Sequence, residues 1–406
     1  MLRTSSIIVA VLVGGLVILA KAQPPTSRAD HATASIPPIA RFQELSALPP
    51  ETARSLYSLR AAGDWLYRMH QANGRFFPGY HPQEKQAVSE DRVDRQLLAT
   101  IALAQVGRFT GEVRWTIRAK QSILALRSET TSRSETMPLH VVGPMDEIPP
   151  VVVAAMLAQA IYEVADPEKP LIADAEDLIR FVISQQHQNG SFPGTDAEGC
   201  AQIVQALIKA DLNKPDSPLR QSIGRGLNWL ISQFREKPSS ALAATILPIL
   251  SDVYPQGKDS RIATISYQLA DWICDCQYTR RDAPKLIWVG GFRSHPQLSA
   301  TPEEPGAEAS LMTRGLAAAT RLTRQVPHLT RYPKYRQATV DGLQFLGELQ
   351  FTPNSALQIE PHIRHHYLLG AIAQSGSNWT VRPDTTALSI MAHLQYLQSG
   401  AALGSP

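Results

Sequence analysis

Apolar residues recur along most of the chain every three to four positions, the spacing of one face of an α-helix. Two kinds of segment alternate. Amphipathic segments with a single apolar face predict helices at residues 53–73, 112–127, 172–188, 218–235, 260–278 and 334–351. Each is followed by a segment rich in Ala, Leu, Ile and Val on all sides, at residues 90–108, 149–165, 197–211, 239–253, 306–325 and 384–398. Helices that are apolar all round are typical of a buried layer, so the pattern predicts six helical hairpins, plus a short extra helix around 362–373.

A short sequence skeleton recurs near the ends of several amphipathic segments. At Phe181 an aromatic-aliphatic pair is followed by Gln186, five positions after the aromatic residue, and then by the turn Gly190-Ser191-Phe192. Other copies contain Trp65, His70, Gly74 and Phe76; Trp272, Gln277, Gly290, Gly291 and Phe292; Phe345 and Gln350; and, more faintly, Trp229 and Phe234. Repeats spaced by roughly 50 to 70 residues indicate that each hairpin buries its apolar face against its neighbours.

This skeleton resembles the QW repeat of squalene-hopene cyclases, and the series of hairpins is similar to the terpenoid cyclase and protein prenyltransferase superfamily over about residues 53–398. The resemblance implies an all-α fold, an (α/α)6 toroid in which six helical hairpins close into a ring with long loops on one face. The layout also resembles an uncharacterised group of exported bacterial toroid proteins that carry a Trp-x-Gly-Gly-Phe segment, here 288–292, and an Arg-x-Asp, here 382–384. Polysaccharide lyases, uronyl epimerases and glycoside hydrolases also use α/α toroids, so the fold does not assign an activity.

The reactive motifs of that superfamily are incomplete in this chain. Class II terpene cyclases use an Asp-x-Asp-Asp-Thr cluster, where this chain has Asp384 alone. The pair Asp275-Cys276 lacks the spacer of the prenyltransferase zinc motif, and no His follows at the expected place. A terpenoid cyclase-like enzyme is therefore the least favoured of three functional hypotheses, of which the other two are given below. Neither a metal nor a cofactor is expected.

The N-terminus predicts export. Arg3 precedes an uncharged run from 7 to 20, which is followed by the small-x-small pattern Ala20-Lys21-Ala22. We expect a signal peptide at 1–22, a flexible Pro/Ala/Ser/Thr-rich tether at 23–50 and the toroid at 51–400. The expected location is secreted or periplasmic. The alternative is an uncleaved N-terminal anchor that holds the protein at the membrane, facing away from the cytoplasm.

Composition and charge limit the kinds of partner that the protein is expected to bind. The 406 residues carry a net charge of +3, with 44% hydrophobic and 18% charged residues, as in an ordinary globular protein. There is no run of Lys and Arg, so nucleic acid is not an expected partner. The three cysteines, Cys200, Cys274 and Cys276, do not form a disulfide framework.

Loop lengths predict where a ligand binds. The connections inside the hairpins are mostly long, whereas those between hairpins are short. In a toroid the first kind lie together on one face, where the inner helices begin, and long loops in compact domains usually bind or cover something. We therefore expect the mouth of a central cavity on this face.

Carboxylates collect at the starts of the predicted inner helices. The catalytic candidates are Asp91, Asp94, Glu308 and Asp384, and further acids at this face are Asp146, Glu147, Asp196, Glu198 and Glu304. The candidates for substrate binding are Arg92, Arg382, Tyr80, Trp288 and Phe292. Carboxylates facing each other across a groove can act as general acid and base on a glycan, while arginines hold anionic groups and aromatic rings stack on sugars.

Two functional hypotheses follow. The first is a glycan-directed enzyme, a hydrolase, lyase or epimerase, that uses this acid/base chemistry on a polysaccharide or another ligand outside the cytoplasm. The alternative is a non-catalytic binding or scaffold protein in which the same acids only cap helices, because Asp and Glu are favoured in the first turn of any helix.

Overall fold

The computed structural model describes residues 48–134, 138–143, 148–164, 167–297, 302–326 and 330–399. The predicted signal peptide, all but the last residues of the predicted tether, and the acids Asp146 and Glu147 lie outside the described residues. Within these ranges, no helix combines the length and the apolar character needed to cross a membrane.

The helices form two concentric layers. The outer layer consists of α1 (Pro50–Met69), α3 (Val113–Thr130), α5 (Lys169–Ser184), α7 (Ser217–Glu236), α9 (Ser260–Cys276) and α11 (Arg331–Leu349). The inner layer consists of α2 (Val93–Thr110), α4 (Pro150–Glu163), α6 (Ala197–Asn213), α8 (Ser240–Gly257), α10 (Ala309–Gln325) and α13 (Pro383–Gln398). Each inner helix packs against the next, and α13 packs against both α10 and α2, which closes the ring. The predicted (α/α)6 toroid of six hairpins is confirmed.

Burial follows the hydrophobic pattern that predicted the layers. In α4 every residue from Val151 to Glu163 is buried, as expected for a helix enclosed on all sides. The outer helix α7 buries only one face, which includes Leu219, Ile223 and Leu230. Burial of the apolar surface between the layers supplies the main stabilisation of the ring.

The long connections carry small elements of their own. They are two short hairpins, β1 (Tyr80–His81) with β2 (Gln86–Ala87) and β3 (Thr131–Ser132) with β4 (His140–Val141), and a 3₁₀ turn at Leu286–Trp288. The extra helix predicted around 362–373 is shorter than expected: α12 spans Pro361–Ile363, a π-helical turn follows at Arg364–Leu368, and the chain then leaves the helix at Gly370, which has φ +92°.

The recurrent glutamine of the sequence skeleton joins neighbouring outer helices. Gln277, just after α9, donates from Nε2 to the carbonyl oxygen of Gly290 at 3.0 Å and to that of Ala338 in α11 at 2.9 Å. The same pair of bonds is made by Gln186, to Gly190 and to Ser222 in α7, and by Gln350, to Gly370 and to Ser58 in α1. The last of these joins the final outer helix to the first.

The glycine of the skeleton permits this close approach. Gly190, Gly290 and Gly370 have φ values of +95°, +90° and +92°. A Cβ at Gly370 would lie 2.1 Å from the carbonyl oxygen of Ala61, and a Cβ at Gly290 would lie 2.2 Å from that of Asp341. Only glycine combines this backbone conformation with the absence of a side chain.

Loop placement agrees with the prediction. The connections at 70–92, 131–149, 185–196, 277–308 and 350–382 join an outer helix to the start of an inner helix, and their described residues lie at one face of the ring. The connections at 111–112, 164–168, 214–216, 258–259 and 326–330 at the opposite face are short. The connection at 237–239 is the exception on the long-loop face.

Candidate functional site

A cavity of about 310 Å³ opens at the predicted face, where α2, α4 and α6 begin. Three of its lining residues are acids, Asp94, Asp196 and Glu198, and one is a cation, Arg92. The remaining lining residues are Ile148, Pro149, Val152, Gly194, Thr195, Gly199 and Gln202. The cavity therefore has an acidic wall and an apolar wall, and we refer to it below as the acidic cavity.

The first turn of α6 supplies two of the three acids. Asp196 caps this helix, since its Oδ1 accepts a hydrogen bond of 2.8 Å from the backbone N–H of Gly199. Glu198 is exposed to solvent at the cavity, and neighbouring protein atoms desolvate its carboxyl group in part. This desolvation, together with the negative charges of Asp196 and Asp94, raises the pKa of the Glu198 carboxyl. Glu198 therefore holds a proton to higher pH than an ordinary glutamic acid.

Asp94, in the first turn of α2, is fixed by its neighbours. Arg92 donates from Nε to Oδ1 at 3.2 Å and from Nη2 to Oδ2 at 3.0 Å, a two-pronged arrangement that orients the carboxylate. The backbone N–H of Arg95 donates to the same Oδ1 at 2.9 Å. Asp94 is thus an oriented, ion-paired carboxylate in the same cavity as Glu198, whose pKa is raised.

Asp384, at the start of α13, lies beside this group. Its Oδ2 is 3.6 Å from Nε of Arg95, and its Oδ1 is 3.2 Å from Nε of Arg382. The charge of Asp384 also contributes to the raised pKa of Arg92, so Asp94 and Asp384 both act on one guanidinium. The structure therefore brings together four of the residues predicted for the site: Asp94, Arg92, Asp384 and Arg382.

Asp91 has a different environment. Its Oδ2 accepts from Nε of Arg75 at 3.0 Å, and its Oδ1 accepts from Nε2 of Gln96 at 2.7 Å. Gln96 is buried and also binds the backbone N–H and carbonyl of Phe76. Asp91 is not among the residues that line the acidic cavity. Both of its oxygens hold the connection after α1, which is the role of a structural group.

Glu308, the fourth acid predicted to be catalytic, lies apart from this cluster at the start of α10. Its Oε1 accepts from the backbone N–H of Gly306 at 2.8 Å. Burial, together with the charge of Glu303, raises the pKa of the Glu308 carboxyl despite its backbone hydrogen bonds. It does not line the acidic cavity.

The three aromatic residues predicted for the site lie in packed surroundings. Tyr80 is buried and stacks on Tyr367 with ring centroids 4.6 Å apart. Trp288 is buried against Tyr278, and Phe292 pairs through its backbone with Gln277 and is buried in the core. None of the three is among the residues that line the acidic cavity.

The described ranges contain no cluster of potential ligands suited to a metal ion. No group of three or more His, Cys, Asp or Glu side chains there is arranged to hold a metal ion. Burial raises the pKa of Cys276 to about 12, with smaller effects of Arg293 and Asp275, so this thiol stays protonated near neutral pH.

Comparison with known proteins supports the fold. No family model matches the chain, and no curated protein matches it. Among solved structures, a D-mannose isomerase is 10% identical with a TM-score of 0.63, covering 87% of this chain and 99% of its own. An unsaturated glucuronyl hydrolase specific for heparin is 12% identical (TM-score 0.59, 85% and 97% covered), and an α-1,6-mannanase from Salegentibacter sp. HEL1_6 is 9% identical (TM-score 0.59, 84% and 99% covered). At this identity the likeness shows the fold, so the chain is an α/α toroid protein. Its resemblance to terpenoid cyclases in particular stays a prediction.

Proposed function

We propose that this α/α toroid protein is a glycan-directed enzyme and that Glu198 and Asp94 form its acid/base pair. The observation that carries the proposal is that two carboxyl groups in different environments line one cavity. Glu198 is partly desolvated and lies near the acids Asp196 and Asp94, whereas Asp94 is held by a guanidinium. Such unlike pairs are the arrangement that separates an acid from a base at one pH.

Hydrolysis of a glycosidic bond is the reaction that this pair supports most directly. Glu198, protonated, donates its proton to the glycosidic oxygen as the bond from that oxygen to C1 breaks. Asp94 accepts a proton from the water that attacks C1, so that the two products together contain the elements of one water molecule. In a lyase or an epimerase, the same two groups instead remove a proton from carbon and deliver one.

The structural neighbours support a sugar as the ligand. They are named for action on mannose, on α-1,6-linked mannan and on an unsaturated glucuronyl unit of heparin. All three share the fold found here, a ring of inner helices surrounded by outer ones. The predicted signal peptide adds a compartment in which polysaccharides are met, and we propose a secreted or periplasmic location.

The positions of Asp384, Arg382 and Arg95 suggest a supporting role. The Arg95–Asp384 ion pair joins the start of α2 to the start of α13, where Arg382 also pairs with Asp384, and the charge of Asp384 reaches Arg92. Because Arg92 orients Asp94, these residues act as positioning residues for the proposed base.

A panel of neutral and uronate-containing polysaccharides tests the proposal. Wild-type protein, Glu198→Gln and Asp94→Asn are incubated with each polysaccharide, and new reducing ends, unsaturated products and epimers are measured. We expect turnover on at least one glycan and a loss of about 10²- to 10⁴-fold in both variants, without loss of the fold. Binding with no turnover by the wild-type protein would contradict catalysis and favour the non-catalytic alternative. The absence of both binding and turnover would contradict a glycan as the ligand.

A further inference from the structure

The inner face of α6 continues beyond the acidic cavity toward the centre of the ring. Glu198, Gln202, Gln205 and Lys209 are spaced by three or four residues and share one side of the helix, and each retains contact with solvent. Gln202 lines the acidic cavity, and Gln205 lies one turn further along, about 4.5 Å deeper at 1.5 Å per residue. Polar side chains therefore lead from the cavity into the ring.

The guanidinium of Arg314, in α10 across the ring, contacts this face of α6. Arg314 in α10 donates from Nη2 to Oε1 of Gln205 at 3.1 Å. In the inner layer α8 lies between α6 and α10, so this hydrogen bond crosses the ring between helices that are not neighbours. Leu311 and Arg321, on the same side of α10, are partly exposed like Arg314, whereas the residues from Gly315 to Thr320 are buried. The side chain of Arg314 thus lies across the central space one turn below the acidic cavity.

Arg314 has no ion pair with any of the described residues. The acids whose charges reach it are Asp252 and Glu163, and both are already neutralised. Asp252 pairs with Arg321. Glu163 pairs with Lys209 at 2.8 Å and with Arg108 at 3.5 Å. Among the described residues, Arg314 is therefore a cation inside the ring that these acids do not balance.

A cation that loses part of its hydration without gaining an ion pair is costly in a folded protein. Arg314 keeps partial contact with solvent, and the burial of the rest of its side chain lowers the pKa of its guanidinium, with a partial offset from Asp252 and Glu163. Features that lower stability without a compensating contact are concentrated at binding sites, where a ligand supplies the missing partner. The missing partner here is an anion.

We propose that Arg314 binds the carboxylate of a uronic acid residue, so that the substrate is an acidic oligosaccharide whose uronic acid residue reaches into the ring. A planar guanidinium with free donors matches a carboxylate by paired hydrogen bonds. The amide of Gln205 is hydrogen-bonded to it, that of Gln202 lies one turn nearer the acidic cavity, and amides suit sugar hydroxyl groups. This inference rests on the proposed function: with the uronic acid residue at Arg314, the glycosidic bond that joins it to the neighbouring sugar lies beside Glu198.

Binding experiments test this site without requiring turnover. Isothermal titration compares trisaccharides ending in glucuronic, galacturonic or mannuronic acid with the matching neutral trisaccharides and a 6-sulfated one. We expect the wild-type protein to bind one uronate at least about tenfold more tightly than its neutral counterpart, and Arg314→Gln to remove that difference. Arg108→Gln is the control: it removes another cation near the carboxylate of Glu163, at the end of α2, while Glu163 keeps Lys209, and the difference should persist.

Thermal unfolding gives a second readout. Because Arg314 is uncompensated in the unliganded protein, Arg314→Met should raise the melting temperature or leave it unchanged. A structural cation would instead lose stability on this change, and that result would overturn the proposal. Equal binding of uronates and neutral sugars would also overturn it, as would preference for the sulfate.

Failure of this inference is distinguishable from failure of the proposed function. Glu198→Gln should abolish turnover and keep the preference for the uronate, whereas Arg314→Gln should lose the preference. Turnover of neutral glycans alone would support the proposed acid/base pair and contradict the proposed uronate site.

Discussion

Gln350 and Ser58, 292 residues apart in sequence, are joined by a hydrogen bond of 3.0 Å from the Gln350 side-chain amide to the Ser58 carbonyl oxygen. The same amide donates to the Gly370 carbonyl oxygen at 3.1 Å. These contacts attach the end of α11 to α1 and thereby close the outer layer of the ring. The two corresponding contacts, at Gln186 and Gln277, join neighbours that are closer in sequence.

The closing contact predicts a stability effect. Gln350→Met keeps the approximate size of the side chain but removes the amide that donates both hydrogen bonds. The carbonyl oxygens of Ser58 and Gly370 then lose this donor, so the free energy of unfolding should fall by about 1 to 3 kcal/mol. Chemical denaturation measures it. Gln344→Met, on an exposed position of the same helix, is the control and should change little; equal losses in the two variants would show that the bonds of Gln350 do not matter.

The glycine that follows makes a second prediction. Gly370→Ala forces a Cβ to within 2.1 Å of the Ala61 carbonyl oxygen at φ +92°, so it should destabilise the protein by more than about 1 kcal/mol. Gly224 lies inside α7, where an added Cβ would meet no atom within 4 Å, and Gly224→Ala should stabilise by about 0.5 to 1 kcal/mol through helix propensity. Melting temperatures that move in the same direction would contradict this account.

Most of the fold is predictable because it depends on local patterns. The two kinds of helical segment, the repeated glutamine and the unequal loops each reflect a constraint within a few tens of residues. The glycine that partners Gln350 is not evident from the sequence, because Gly370 lies 20 positions further on, beyond a long insertion. The short α12 is overestimated, since its apolar period continues past the point at which the backbone turns.

Two buried histidines, His70 and His393, should make the stability of the protein depend on pH below neutrality. Burial lowers the pKa values of His70 and His393 from 6.5 to about 4; the charge of Arg118 adds to the effect at His70, and His393 is hydrogen-bonded to Ser55. The unfolded chain takes up protons below pH 6.5 while the folded protein resists until about pH 4. Stability should therefore fall as the pH drops from 6.5 to 4, by roughly 3 kcal/mol for each histidine.

Urea unfolding across this range, in wild type and in His393→Gln, measures the effect. The variant should lose about half of the pH dependence, whatever its stability at pH 7. His362→Gln changes an exposed histidine and should keep the full dependence. An unchanged slope in His393→Gln would show that this histidine is not the source.

Asp91 separates structural from catalytic acids at the mouth. Because its oxygens bind Arg75 and Gln96, Asp91→Asn should lower stability by about 0.5 to 2 kcal/mol and leave turnover on a responsive glycan near the wild-type value. Glu198→Gln should do the reverse, since removing a desolvated carboxyl costs the fold little. Parallel melting curves and rate measurements on the two variants decide; loss of turnover in Asp91→Asn at full stability would return Asp91 to the catalytic group.

The site is less predictable than the fold, for a physical reason. Sequence patterns place acids at the starts of inner helices but do not tell which starts face one cavity. Asp94, a catalytic candidate from the sequence, lines that cavity, whereas the sequence marks Glu198 only as one of the further acids at the mouth. The partial desolvation and the like charges that raise the pKa of Glu198 involve Asp94 of α2 and Asp196 before α6, which the fold brings to either side of α4. The proposed role of Arg314 follows from its lack of an ion pair with the described residues, which the sequence does not reveal.

The central claim is that Glu198 protonates the leaving group, and leaving-group dependence tests it most directly. Turnover of wild type and Glu198→Gln is compared on the natural linkage and on an aryl glycoside of the same sugar, whose leaving group departs without a proton. The account predicts a loss of about 10²- to 10⁴-fold on the natural linkage and a much smaller loss on the aryl glycoside. Equal losses on the two substrates, or none on either, would contradict it.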